Sequence, residues 1–501
     1  MQNEANISSS NVIDYKVLYE GAQQRIEYLQ LQLMQLKKLL EGNKQERFVS
    51  SNTSLPEQGV LFNVEPIAEV ITETKLLPAR EVKKSTVVSK HKGRECFPAH
   101  LHREVITIEP EGITTDNARV IGEDVTELLA YTPCELFVKQ IRRPRYATTA
   151  AGTVVQAPAP VRTLEKCSAD NSLVAQVTVE KYVDHLPLYR QIKRYERLGV
   201  TISDSTIGDW LRQVAHALVA LYEVHKKAVL NTSYLHVDET IIKVMSNEKK
   251  HATHQGYYWV YQSHHNKLVL FDYRRGRGRE GPETILKDFK GHIQTDGYAG
   301  YDIFKSYPDI TVFHCMAHAR RKFHEALSND KDRASYAMEQ IQQLYAIERT
   351  AKEAGITGAA LTAYRKEHAV PILEGMEQWM KKAYLEVLPK SAIGKALEYS
   401  LLRWKELSLY ASDGMLHLDN NPVENTIRPV AIGRKNYMFA GSHDAAQRAA
   451  IFYSLFATCK LHGVNPYDWL KYVLDNLIYY KPTNLIELLP QHFTKIQQHT
   501  P

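Results

Sequence analysis

A mixed α/β protein is the class that the sequence predicts, and two observations lead to it. β-Branched apolar runs at 234–243 (YLHVDETIIK), 256–261 (GYYWVY) and 268–273 (LVLFDY) are typical of buried strands. The stretch 330–410 is rich in Ala, Glu, Lys and Leu, which is typical of helices. Sheet and helix therefore share the second half of the chain.

The composition of the 501-residue chain is that of a globular protein with about two or three domains. No run approaches the twenty or so apolar residues of a membrane span, and the first residues lack a signal pattern, so we expect a soluble, cytoplasmic protein. The five cysteines are scattered, which favours reduced thiols. A net charge of +6, with basic clusters at 139–145, 274–279 and 428–435, is compatible with nucleic-acid binding without proving it.

The N-terminal segment 1–42 contains a predicted helix at 15–40. Its apolar residues recur alternately every three and four positions, which is the seam of a coiled coil. A helix packed on its own domain would show a similar pattern, but the polar segment 43–92 resembles a linker and leaves the helix without a domain to contact. We therefore expect homo-oligomer formation through residues 15–40. The seam consists of Tyr15, Tyr19, Ala22, Ile26, Leu29, Leu33, Leu36 and Leu40.

Residues 93–165 are predicted to form a small, basic, β-rich module that ends in the stiff Ala/Pro-rich connector 154–162. Because no C-x-x-C pair occurs in the chain, we do not expect structural zinc in this module.

Residues 170–230 are predicted to be helical and to resemble a helix-turn-helix. A helix ending at Arg197, a turn at Gly199 and a helix over 205–217 have the expected spacing. Many three-helix cores share this spacing, so DNA contact is one of two interpretations. The residues of the last helix that would face a groove are Ser205, Asp209, Arg212 and Gln213.

The catalytic domain is predicted over 231–440. Three antiparallel strands, a helix, a strand ending at Asp296, a helix, a strand at 310–313 and a helix from Met316 follow the order of a ribonuclease-H-like mixed sheet. In that arrangement the first and fourth strands are neighbours, so Asp238 and Asp296 can share metal ions.

Glu424 completes a candidate metal site, since it follows the Asn-Asn-Pro helix start in LDNNPVEN. Asp238, Asp296 and Glu424 are the ligand types of a two-metal phosphoryl-transfer site, so these three are the candidate catalytic and metal-binding residues. A helical insertion over 330–410 explains the long gap before Glu424. The basic residues that follow it, which suit DNA phosphates, are Arg428, Arg434 and Lys435.

A second pattern typical of metal sites lies in HCMAHARRKFH, where His314, Cys315 and His318 include C-x-x-H on the predicted helix, with His314 and His318 on one face. Zinc would need a further ligand, for which His251 or His254 is conceivable, and packing beside the active site is the simpler interpretation. Zinc is therefore not expected here. Arg320 and Arg321 suit phosphate contact or a solvated helix face.

Seven stretches spread over most of residues 93–480 resemble one known family, the bacterial DDE transposases of insertion sequence 66. The resemblance implies a ribonuclease-H-like core, Mg²⁺ dependence (with Mn²⁺ as a substitute), DNA cleavage and strand transfer. It also implies a leucine-zipper-like N-terminal helix, a nucleoid-associated bacterial protein, and accessory proteins encoded by the same element. The stretches are GRECFPAHLHRE, VVQAPAP, KYVDHLPLYRQ, HVDET, TDGYAGY, CMAHARRKF and LDNNPVENTIRPVAIGRKNYMFAGS.

One departure from the family concerns the β-rich module. The family carries two cysteine pairs near the positions occupied here by 113–117 and 146–151, and these pairs are absent. The module is therefore a degenerate zinc-binding module whose fold must depend on packing alone. The remaining segment, 441–501, is predicted to be helical and to cover the sheet.

Two other function classes remain. A transposase-derived DNA-binding protein that no longer cuts predicts the loss of one acid, and all three acids are present. A hydrolase of small phosphoesters would not need a coiled coil, a helix-turn-helix and repeated basic clusters.

Overall fold

A computed structural model of the chain describes residues 72–77, 80–81, 97, 99, 101–111, 118–132, 135–148, 153–165, 167–246 and 252–493. The predicted coiled-coil helix at 15–40 lies outside these residues. The described residues all belong to one unit that begins at Glu69. Within them, no helix is long and apolar enough to cross a membrane.

The β-rich module is a six-stranded mixed sheet in which β1, β3, β5, β6 and β2 are successive neighbours and β4 pairs with β5. Two of its strands, β1 and β2, lie inside the segment 43–92 that resembles a linker, so the sheet begins before residue 93. The polar composition of that segment hides the strands from sequence inspection. The strands are β1 (Thr72–Leu77), β2 (Arg80–Glu81), β3 (Arg103–Pro110), β4 (Ala118–Thr132), β5 (Glu135–Thr148) and β6 (Val154–Gln156).

Four helices follow the module. Gly199, at φ +82°, makes the turn before the third of them, and Ser203 Oγ caps that helix by accepting a hydrogen bond from Thr206 N at 3.1 Å. The apolar face of this helix is buried, including Trp210 and Val214. The helix-turn-helix interpretation stays a prediction. The helices are α1 (Asn171–Tyr182), α2 (Leu188–Arg197), α3 (Asp204–Ala217) and α4 (Val219–Leu230).

The central sheet has five strands, in the order β11, β10, β7, β8, β9. Strands β7, β8 and β9 are antiparallel, whereas β10 runs parallel to both β7 and β11, so the predicted adjacency of the first and fourth strands is confirmed. The strands are β7 (Tyr234–Met245), β8 (Thr253–Ser263), β9 (Leu268–Arg274), β10 (Gly291–Thr295) and β11 (Ile310–His314).

Two short helical segments connect the later strands. Between β9 and β10 lies α5 (Glu280–Leu286), and between β10 and β11 lies a 3₁₀ helix (Ala299–Ser306).

Side chains cover the free edge of β9. Val269 N donates to Thr458 Oγ1 at 3.2 Å, and Phe271 N donates to Ser454 Oγ at 2.8 Å. His225 Nε2, from helix α4, donates to Val269 O of the same strand at 2.7 Å. These bonds satisfy the groups that an exposed edge would offer to another strand.

The predicted helical insertion is helical and packs in a core with β11 and Tyr234. Its buried Arg365 donates to both carboxylate oxygens of Glu348, at 2.8 and 2.7 Å, and to Tyr410 O at 2.8 Å, so the charge is paired. The helices from β11 onward are α6 (Met316–Glu325), α7 (Lys331–Glu353), α8 (Gly358–His368), α9 (Val370–Leu385), α10 (Ala392–Leu402) and α11 (Trp404–Ser408).

Three further helices close the fold: α12 (Asn421–Tyr437), α13 (His443–Leu461) and α14 (Pro466–Asn476). One hydrophobic core joins them to the β-rich module, to helices α1–α4 and to one face of the central sheet. The segment boundaries suggested by the sequence near 165 and 440 therefore cross a single packed core.

Candidate active site

The central sheet positions the first two candidate acids. In the parallel pairing of β10 with β7, Gln294 is opposite His236. Asp296 and Asp238 each lie two residues further along, so the register places them at the same level. Asp238 Oδ1 accepts a hydrogen bond from Glu239 N, and Asp296 Oδ1 accepts one from Tyr298 N, both at 2.8 Å.

Glu424 interacts electrostatically with Asp238. Burial is the main reason that the pKa of Asp238 lies well above its usual range, and repulsion by the carboxylates of Glu239, Asp296 and Glu424 raises it further. Glu424 is in the first turn of α12. The two other predicted acids therefore both act on Asp238, and we call the three together the acidic cluster.

Glu239 is a fourth acid of this cluster, and sequence inspection gave it no role because alternate residues of a strand face opposite sides. Its side chain is 4% exposed. Arg277 Nε donates to Glu239 Oε1, and Tyr301 Oη donates to Oε2, both at 2.7 Å. Burial and Asp296 raise the pKa of Glu239, whereas Tyr301 and Arg277 oppose the shift.

Helix α10 of the insertion supports the turn that carries Asp296. Tyr399 Oη donates to Asp296 O at 2.8 Å, and Arg403 Nη2 donates to Gly297 O at 3.3 Å. Gly297 has φ +84°, a conformation that favours glycine, and a Cβ there would lie 2.9 Å from Arg403 Nε. The insertion thus has a structural role beside the acids that its sequence did not reveal.

The start of the Glu424 helix is tied to the Asp238 strand. Asn420 Nδ2 donates to Val237 O at 3.0 Å, and Asn420 Oδ1 accepts from His236 Nδ1 at 2.8 Å. Asn420 therefore fixes Glu424 relative to Asp238.

Asn420 occupies the N-cap position of this helix. The Asn420 side chain makes no capping bond, because the strand uses both of its polar atoms. Asp419 Oδ1 accepts from Asn421 N at 3.0 Å instead.

Cys315, His318 and Glu424 form a group whose ligand atoms all lie within 4.8 Å of one another. Among the described residues, neither His318 Nδ1 nor Glu424 Oε1, 3.9 Å apart, has a hydrogen-bond partner. Burial raises the pKa of Cys315 to about 12, so it is a thiol at neutral pH. Burial also lowers the pKa of His318, although Glu424 and Asp296 oppose the shift.

His314 does not belong to this group. It ends β11 rather than lying on the helix with His318, and its Nδ1 bonds Thr295 Oγ1 at 3.1 Å. The strand runs one residue further than the apolar pattern suggested, so the two histidines share no helix face. His254 Nε2 bonds Arg275 O at 2.6 Å, and His251 lies outside the described residues.

Basic side chains lie beside Glu424. Arg321 Nη2 is 3.9 Å from Glu424 Oε2. A cleft of about 540 Å³ is lined by Arg320, Arg321, Arg349 and Asn421. Sequence inspection missed Arg349 because it comes from α7 of the insertion, far from the other residues in the chain.

The basic residues of α12 differ in their contacts. Arg434 Nη1 donates to Thr240 Oγ1 at 3.0 Å and to Ile241 O at 2.8 Å, so it ties α12 to β7. Arg428 and Lys435 are exposed.

The structure does not bring Arg212 and Gln213 to the acids. Both bond Asp209: Arg212 Nε donates to Oδ1 at 3.0 Å, and Gln213 Nε2 donates to Oδ2 at 2.7 Å. They line a separate cleft of about 1200 Å³ together with Arg274 and Arg448.

The donor set of the cluster fits hard divalent cations. Asp238, Asp296 and Glu424 offer carboxylate oxygens, which are the ligands that Mg²⁺ and Mn²⁺ prefer. Repulsion among the carboxylates and the unpartnered Glu424 Oε1 are features that a bound cation would relieve.

Comparison with known proteins agrees with this geometry. Residues 166–448 match the family model described as "Transposase IS66 family", and residues 454–491 match that of the "IS66 C-terminal element". Two uncharacterized proteins of Sinorhizobium fredii (strain NBRC 101917 / NGR234) are similar over nearly the whole chain. The protein y4qI is 30% identical over 98% of this chain and 94% of its own length, and y4hP is 29% identical over 94% and 90%. The family match covers more than half of the chain and includes all three acids, and on this ground the chain belongs to the IS66 family of transposases.

Proposed function

We propose that the chain is an active DDE-type DNA transposase that binds the ends of an insertion sequence, cleaves them and joins them to target DNA. The observation that carries this proposal is the placement of Asp238 and Asp296 at the same level of the neighbouring strands β7 and β10, with Glu424 in the first turn of α12 acting electrostatically on Asp238. The family match supports the same activity. The strand order, with β10 between β7 and β11, supports a ribonuclease-H-like core.

In this proposal Asp238, Asp296 and Glu424 hold Mg²⁺, for which Mn²⁺ can substitute. When bound, the ions supply Lewis acidity to the attacking hydroxyl and to the leaving oxygen of the phosphodiester. The carboxylates hold this charge in place. Arg277 neutralises Glu239, the adjacent acid, so that it adds less repulsion to the cluster.

Exposed and half-buried cations around the acids would bind DNA phosphates. Arg320, Arg321 and Arg349 line the cleft beside Asn421, and Arg428 and Lys435 project from α12. Phosphate contacts of this kind set affinity and its dependence on salt. Arg434 acts indirectly, by holding α12 against the Asp238 strand.

Recognition of the ends is assigned to α3 and the basic β-rich module. Arg212 is exposed and Gln213 is half-buried, and both would have to exchange Asp209 for DNA. Base contacts by such side chains carry sequence discrimination.

The test uses the full chain with duplex DNA from the ends of its element and Mg²⁺. Asp238→Asn should abolish nicking while DNA binding in a mobility-shift assay is retained, because the carboxylate is needed for the metal and not for DNA affinity. Asp302→Asn, an exposed acid on the neighbouring 3₁₀ helix, is the control and should cleave normally. Full cleavage by Asp238→Asn would refute the proposal. Binding without cleavage by the unaltered chain would favour a silent DNA-binding protein.

A further inference from the structure

Three histidines that are remote in sequence meet beside the Asp238 strand. His236 is in β7, His264 is in the turn between β8 and β9, and His417 is in the loop before α12. The ring of His417 lies 4.4 Å from that of His264 and 5.1 Å from that of His236, measured between centroids. One ring nitrogen from each lies within 4.8 Å of the others.

The hydrogen bonds of His236 orient a lone pair into this cluster. Asn420 Nδ2 donates to Val237 O, so Asn420 Oδ1 faces the ring and accepts from His236 Nδ1. The proton is therefore on Nδ1, and Nε2 carries a lone pair. His236 is 0% exposed, and Nε2 has no hydrogen-bond partner among the described residues. A ring N–H held by an amide oxygen while the other nitrogen is unused is the arrangement typical of a metal-binding histidine.

His264 provides a second buried ring nitrogen of this kind. His264 Nδ1 is also buried and lacks a hydrogen-bond partner within the described part of the chain. His417 is half-buried, and its ring lies beside those of His236 and His264. Neutral imidazoles are the form that binds metal, and unused buried acceptors are costly without a partner.

A route for an ion and room for one more ligand are present. A cavity of about 570 Å³ is lined by His264, His265 and His417 on the side of the helical insertion. The exposed His265 or a water molecule can provide a fourth ligand. Tetrahedral zinc with Zn–N bonds of about 2.0–2.1 Å needs nitrogens about 3.4 Å apart. The three nitrogens lie within 4.8 Å of one another, so they would have to approach by up to about 1.4 Å on binding the ion.

We propose that His236, His264 and His417 bind one transition-metal ion, zinc being the natural candidate. Three imidazoles select zinc and similar borderline metals over Mg²⁺, which prefers oxygen ligands. The site is separate from the catalytic carboxylates and does not depend on their role. The ion connects the strand that carries Asp238 to the loop that precedes the Glu424 helix, so it fixes the relative positions of two acids.

The test measures zinc in the purified full chain after incubation with Zn²⁺ and dialysis. The Asp238→Asn background weakens metal binding at the carboxylates, so the remaining zinc reports other sites. His264→Ala and His417→Ala should each remove one equivalent of zinc per chain in that background. His368→Ala, an exposed histidine on α8, is the matched control and should remove none. His264→Ala and His417→Ala replace partly exposed side chains, and circular dichroism would verify that these two variants fold.

Cobalt distinguishes this site from the Cys315, His318 and Glu424 group. Co²⁺ at three histidines should show visible d–d bands without sulfur charge transfer, and the bands should be lost in His264→Ala and kept in Cys315→Ser. The zinc-induced rise in melting temperature should follow the same pattern. The proposal is overturned if the parent chain retains no zinc in the Asp238→Asn background, or if the histidine variants retain as much as it does. Loss of the bands in Cys315→Ser alone would assign the metal to the other group.

Discussion

At the scale of single residues, Asn420 joins three segments of the chain. Its side chain bonds His236 Nδ1 and Val237 O on the Asp238 strand, and its N–H donates to Cys315 Sγ at 3.1 Å. Three residues of α12 then separate it from Glu424. A fully buried amide with this many partners transmits the position of one acid to the other.

Replacing this side chain provides the residue-scale prediction. Asn420→Ala leaves the His236 N–H and the Val237 carbonyl unpaired, and each such buried group costs about 1–3 kcal/mol. We expect a lower free energy of unfolding, measured by circular dichroism in urea, together with slower DNA cleavage. Asn484→Ala, at an exposed position away from the acids and the basic cleft, is the control and should change both by little. Equal effects of the two substitutions would show that Asn420 does not position the site.

At the scale of elements, the helical insertion contacts the turn that follows β10. Tyr399 bonds Asp296 O, and Arg403 lies against Gly297. Helix α7 of the same insertion contributes Arg349 to the basic cleft beside Asn421. The insertion therefore reaches both the acids and the proposed phosphate-binding surface.

Tyr399→Phe tests the support that α10 gives to Asp296. One lost hydrogen bond is worth about 0.5–1.5 kcal/mol, which corresponds to roughly a 2- to 12-fold lower cleavage rate if it is expressed in the transition state. The affinity for DNA should not change, because Tyr399 carries no charge. Tyr384→Phe, in the same hydrophobic core, is the control. An unchanged rate in Tyr399→Phe would mean that the turn holds Asp296 without the helix.

Helix α3 is tested through its two candidate base contacts. Arg212→Ala combined with Gln213→Ala should reduce the preference for end DNA over random DNA, because a good base contact is worth about 1–3 kcal/mol of discrimination. Competition binding at a fixed salt concentration measures this preference. If the double variant keeps its full preference for end DNA over random DNA, α3 belongs to the core and recognition lies in the β-rich module.

The α3 variant is compared with a variant of α12 that lacks two of the basic residues proposed to bind DNA phosphates. Arg428→Ala combined with Lys435→Ala should weaken binding to both DNAs alike. It should also reduce the slope of log affinity against log salt by about 0.9 for each lost phosphate contact.

At the scale of the whole molecule, one hydrophobic core runs from the β-rich module to the C-terminal helices. Leu129 and Val138 of the module share it with Trp210 of α3 and Trp469 of α14. The segments that the sequence separates therefore fold against one another. Moving one of these segments away from the rest would expose apolar surface, which costs about 25 cal/mol per Å² of exposed area.

Self-association through residues 15–40 stays a prediction from sequence and is tested in the full chain. Leu29→Asn combined with Leu33→Asn places amides in the predicted apolar seam, so we expect a lower mass in analytical ultracentrifugation. Gln24→Asn combined with Gln35→Asn changes the predicted outer face and should leave the mass unchanged. The prediction is wrong if the seam variant has the mass of the parent chain.

Much of the fold could be predicted from local patterns. Alternating or continuous apolar runs located β7, β8 and β9, and their order with β10 and β11 indicated which strands are neighbours. The acids followed because a carboxylate inside an apolar strand, at a strand end or at a helix start is visible in a single stretch of residues. Strands β1 and β2 were not predicted from the sequence, because their segment is polar and because they depend on pairing with β3 and β6.

The sequence by itself determined most of the elements, the family and the three candidate acids, since each is visible in residues that are close together in the chain. Only the tertiary structure decided which distant side chains meet. Glu239 with Arg277, Asp296 with Tyr399, and His236 with Asn420 are pairs separated by 38, 103 and 184 residues. Such contacts leave no periodicity in the sequence, because they arise from the packing of whole elements rather than from local backbone preference.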